Sequence, residues 1–75
     1  MKWYEVGIGN KYGETLSFFS SLNFSECFEK FNGKITAFMN SDHNKLFIDK
    51  WKTVNRSPMN IDVIILFDKT KINGG

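Results

Sequence analysis

Ile61-Asp62-Val63-Ile64-Ile65-Leu66-Phe67-Asp68 is the stretch that decides the fold. Side chains alternate along a strand, so Ile61, Val63, Ile65 and Phe67 are expected on one face and Ile64 and Leu66 on the other. A strand apolar on both faces wants cover on both. With 75 residues the chain has room for one substantial helix, and one helix covers one face. The surplus apolar surface points to a partner.

Upstream of that strand, Lys2 to Gly9 also alternates, with Tyr4, Val6 and Ile8 on one face and Trp3, Glu5 and Gly7 on the other. Asn10-Lys11-Tyr12-Gly13 has turn chemistry, because Asn and Gly tolerate positive φ. Glu14 to Ser20 then reads as the returning strand, with Leu16 and Phe18 toward the core and Phe19 away from it. Asn23 and Ser25 are competent helix caps, and Asn23 with Glu26 approximates a capping box. Phe24, Cys27, Phe28, Phe31, Ile35, Phe38 and Met39 recur at helical spacing and predict one helix over residues 24–40. Asn32-Gly33 opposes that reading, since Asn-Gly can end a helix. The competing reading stops at Phe31 and makes 34–39 a strand.

After a polar loop, Lys45 to Val54 reads as a third strand. Leu46 and Ile48 share a face with Lys50 and Lys52, whereas Phe47 and Trp51 share the other with Asp49, and a bulge near Asp49 would change the phase. Asn55 to Asn60 holds the sole proline, Pro58, and closes the connection into the last strand. Residues 1–68 form a single domain in this reading, and 69–75 a flexible polar tail. The expected architecture is α+β in the order ββαββ: a single helix packed on one face of a mainly antiparallel four-stranded sheet.

Composition agrees with a small globular domain, at 41% hydrophobic and 24% charged residues. A lone cysteine forms no internal disulfide. No apolar run reaches transmembrane length, and Met1-Lys2-Trp3-Tyr4-Glu5 lacks a signal-peptide core, so a cytoplasmic location is expected. The net charge of +2 is confined to the second half, where five lysines and Arg56 face four aspartates.

Catalytic chemistry finds little to work with. His43, beside Asp42, has no second histidine or cysteine pair to complete a metal set. Cys27 falls on the apolar helical stripe and reads as core. Gly7-Ile8-Gly9 lacks the third glycine of a phosphate loop and precedes a turn rather than a helix. The acidic residues are scattered, with no pair spaced for acid–base work. A non-enzymatic protein without cofactor or metal is expected.

Two binding readings remain. Trp3, Phe19, Phe47, Trp51, Ile64 and Leu66 all point away from the helix in this phasing and form an aromatic and apolar patch for a protein partner or a second copy of the chain. Stand-alone domains of this type include bacterial accessory proteins and phage-encoded inhibitors. Alternatively, Lys45, Lys50, Trp51, Lys52 and Arg56 combine phosphate-neutralising cations with a stacking ring, as a nucleic-acid interface requires.

The element order, the length and the terminal Gly74-Gly75 resemble the ubiquitin-like β-grasp modifiers. That resemblance implies a central, hydrophobic last strand and a C-terminal glycine that is activated and conjugated. Lys69-Thr70-Lys71-Ile72-Asn73 departs from the arginine-containing tail of that family.

Overall fold

The apolar stripe that starts at Phe24 continues past Gly33 into one helix, α1, Phe24–Met39. The structure, a computed structural model, describes residues 1–72. Asn23 caps the helix by accepting from the backbone N–H and the hydroxyl of Ser25, at 2.9 and 2.7 Å. Cys27, Phe31 and Phe38 are buried on the stripe, with Phe24 and Ile35 partly so. Gly33 lies on the exposed side, with nothing within 4 Å of the position of an added Cβ. The stripe therefore outweighs the local cost of glycine, about 1 kcal/mol. At the far end, the Asn40 amide and side chain both donate to the Thr36 carbonyl, and the Ser41 hydroxyl donates to the Phe38 carbonyl at 2.7 Å.

The strands are β1, Lys2–Gly9; β2, Thr15–Ser21; β3, Lys45–Val54; and β4, Ser57–Asp68. They form one antiparallel sheet in the order β2-β1-β3-β4, with α1 against β1, β2 and β3. The ββαββ architecture is thus the observed one. Val6, Ile8, Leu46 and Ile48 from the two central strands meet Cys27, Phe31 and Phe38 in the core. Tyr4, Phe19, Ile65 and Phe67 pack around them.

Several details differ from the sequence reading. The last strand is an edge, not the centre that the ubiquitin-like resemblance implies. Asn55 and Arg56 both have positive φ, 51° and 68°, between the paired Val54 and Ser57. Such a two-residue turn matches the right-handed strand twist and folds β4 straight back along β3. The central place beside β1 thereby belongs to β3. Pro58 is within β4 rather than in a connection, and an edge strand tolerates its missing N–H. Terminal Gly74-Gly75 lies outside the described residues.

The phase of β4 also changes. Ile48 pairs with Ile65 but Asp49 with Val63, leaving Ile64 unpaired in a bulge; Lys50 pairs with Asp62 but Trp51 with Asn60, leaving Ile61 unpaired in a second. Ile65 and Phe67 face the core as expected, whereas Val63 moves to the face of Asp49. On β2 a further irregularity opposite Val6 and Gly7 leaves Phe18 unpaired and sets Phe19 opposite Val6. Phe19 therefore packs on the helix side. Finally, the expected tail begins as a helical turn, α2, Lys69–Ile72. Lys69 anchors it: its amide donates to the Asn44 carbonyl, and its Nζ donates to the Ser41 carbonyl and lies 4.5 Å from the Phe38 ring centre. The Thr70 hydroxyl, donating to Asp68 at 2.6 Å, holds that carboxyl below its ordinary range.

Candidate functional site

The helix-free face of the sheet follows from the register, because cross-strand partners share a face. Trp3 is opposite Trp51, Glu5 opposite Asp49, and Gly7 opposite Phe47. From β4, Leu66 pairs with Phe47, Val63 with Asp49, and Asn60 with Trp51. From β2 come Ser20, opposite Glu5, and Ser17, opposite Gly7. The face is thus hydroxyl-lined on β2, aromatic and acidic across the two central strands, and aliphatic on β4.

Its aromatic residues are held in place locally. The Trp3 and Trp51 rings stack at 6.3 Å between centroids, 13° from parallel. The Trp3 indole N–H donates to Glu5 Oε2 at 2.9 Å, fixing both side chains. The Trp51 indole nitrogen is buried without a hydrogen-bond partner among the described residues. Phe47 lies flat over Gly7: a Cβ there would stand 2.6 Å from Phe47 Cζ and 2.9 Å from the Leu16 carbonyl oxygen. Glycine at position 7 is what lets the ring lie down and reach 9% exposure. Beside it Leu66 and Val63 are each 48% exposed.

Between the tryptophans and Phe47, two carboxylates face each other. Burial, and then the charge of Glu5, push the Asp49 carboxyl above the ordinary aspartate value. Like charges directly opposite on a sheet destabilise it. The acidic residues are scattered along the sequence, and the β1–β3 register brings this pair together. A sequence signal exists, since Glu5 and Asp49 both interrupt the aromatic face of their strands. The register that joins them depends on the path through the helix.

Of the six residues expected to form the partner-binding patch, Trp3, Phe47, Trp51 and Leu66 share the helix-free face. Ile64 is the unpaired residue of a bulge, 39% exposed. Phe19 is excluded; Lys30 of α1 covers its ring with Nζ 5.3 Å from the centre. Val63 belongs to the face although simple alternation puts it on the other, because alternation does not locate the bulge.

The nucleic-acid set is divided by the same alternation. Lys50 and Lys52 pair with Tyr4 and Lys2 on the helix side, with Lys50 Nζ 5.9 Å from the Tyr4 ring centre. Trp51 points the other way, and Arg56 is in the β3–β4 turn. Lys45 is opposite Asp68. The stacking ring and its neighbouring lysines do not share a surface.

His43 lies half-buried in the loop before β3, near Asn10, Lys11, Tyr12, Asp42 and Asn44. Among the described residues no group of three or more histidine, cysteine, aspartate or glutamate side chains could hold a metal ion. Cys27 is fully buried with Sγ 3.6 Å from the Tyr4 carbonyl oxygen, and burial pushes its thiol up, away from the reactive thiolate. Among the described residues no helix is long and apolar enough to cross a membrane. No protein-family model, curated protein or solved structure matches the chain.

Proposed function

We propose that this chain is a small non-catalytic binding module that engages a protein partner through the helix-free face of its sheet. One observation carries the reading: α1 covers only one side of the sheet, while the half-buried Trp3 and Trp51 and the half-exposed Val63 and Leu66, set around the buried Phe47, form a surface on the other side that no described element of the chain overlies. Tryptophan and phenylalanine beside aliphatic side chains are the composition of interface centres. The stacked tryptophans and the ring seated over Gly7 are already ordered, which lowers the entropic cost of association.

The test is affinity capture from the native host with wild-type chain and Leu66→Lys as paired baits. Leu66 is half-exposed, so the variant should melt within a few degrees of wild type. A partner retained by wild type and lost by Leu66→Lys supports the module. The same proteins on both baits would contradict it.

A further inference from the structure

We infer that the partner presents an arginine, flanked by apolar residues, to the Glu5–Asp49 pair. The inference rests on the binding-module reading and adds the chemistry of the occupant. Glu5 and Asp49 are opposite each other at the centre of the helix-free face. Around them are the stacked Trp3 and Trp51 on one side and Phe47, Val63 and Leu66 on the other. Burial and the opposed Glu5 both act against the charge of Asp49. Lys50 and Lys52, its neighbours in sequence, are on the opposite side of the sheet. Lys45, at the end of this face, is opposite Asp68. A chain with a net charge of +2 thus sets two carboxylates opposite each other among the apolar side chains of this face.

That arrangement selects among occupants. A second copy docked face to face would bring four carboxylates together in a drying interface, where like charges are most costly. A nucleic acid would meet the same repulsion. A guanidinium relieves it: it forms paired charge-assisted hydrogen bonds with carboxylates and stacks on an indole face. Apolar residues beside that arginine would cover Leu66 and Val63.

The experiment pans a random peptide library on the immobilised full chain, then titrates the enriched peptides, made synthetically, against three proteins. These are wild type, the double variant Glu5→Gln with Asp49→Asn, and Leu66→Lys. The amide introduced by Glu5→Gln keeps an acceptor for the Trp3 indole, so the double variant retains the geometry of the face. Enrichment of peptides with arginine beside apolar residues, bound at least about tenfold more weakly by both variants, is the expected result. Apolar peptides that bind the double variant as well as wild type but fail on Leu66→Lys would overturn the arginine and leave the binding face standing. Peptides indifferent to all three changes, or no enrichment, would overturn both. A dimer in light scattering that Leu66→Lys dissociates would place a second copy on the face and likewise overturn the arginine.

Discussion

Substituting Gly7 by alanine tests the geometry of the helix-free face at its tightest point. Alanine is intrinsically the better strand residue, by about 0.5–1 kcal/mol, because glycine loses more freedom on folding. Position 7 should reverse that preference. The new methyl would stand 2.6 and 2.8 Å from Phe47 Cζ and Cε2 and 2.9 Å from the Leu16 carbonyl oxygen, all closer than real Cβ contacts. Phe47 must lift off the sheet, or β2 must move away. Overpacking of this kind costs about 1–3 kcal/mol. In a domain of this size each kcal/mol lowers the melting temperature by about 4–8 °C, so Gly7→Ala should melt roughly 5–20 °C below wild type. The penalty should shrink when Phe47→Leu is present, because the ring causes two of the three close contacts. The coupling between the two sites should reach at least about 0.5 kcal/mol. Part of the penalty should persist, since the Leu16 carbonyl is backbone. Thermal and urea unfolding of the four proteins of the cycle measure this. A Gly7→Ala protein as stable as wild type, or the same penalty in both backgrounds, would refute the seating of Phe47 over Gly7.

Other expectations follow from single positions. Asp49 has a folded-state pKa raised above its ordinary value of 3.8, so its protonated form contributes stability that is complete below that value and lost as pH rises through the folded pKa. Asp49→Asn should flatten that mildly acidic slope and raise the melting temperature at neutral pH; an unchanged pH profile would contradict the burial of Asp49 beside Glu5. Arg56 holds φ at 68°, a left-handed conformation that costs a non-glycine residue about 1–2 kcal/mol. Arg56→Gly should gain roughly 0.5–1 kcal/mol after the greater chain entropy of glycine is subtracted, read by urea unfolding, whereas a loss would argue against the two-residue turn. Gly33→Ala, with open space at its Cβ, should gain about 1 kcal/mol, and destabilisation there would argue against a continuous helix across 32–34.

The elements of this fold are legible in the sequence because their signals are local. The stripe from Phe24 to Met39 predicts α1 despite Asn32-Gly33, since Ile35 and Phe38 continue the face of Phe31 beyond the glycine. Strand β1 alternates cleanly and β3 imperfectly, yet both ranges match the reading residue for residue. Sheet order and bulges are not legible, because both depend on pairing between distant segments. A single unpaired residue, Ile64, inverts the face of Val63; another, Phe18, carries Phe19 to the helix side. Pro58 misleads by its usual meaning as a breaker, when an edge strand accommodates it. The candidate site is legible in part for the same reason. Trp3, Phe47 and Trp51 follow from alternation within their strands, whereas the opposition of Glu5 and Asp49 needs the register of β1 against β3.

The central claim is that Trp3 and Trp51 belong to an open sheet face and not to a second core. Acrylamide quenching of tryptophan fluorescence in the dilute, monomeric protein tests it most directly. The account predicts partial quenching in the free chain, as two half-buried indoles require, and further protection once a partner occupies the face. Blue-shifted emission from both tryptophans, inaccessible to quencher in a strict monomer, would contradict it.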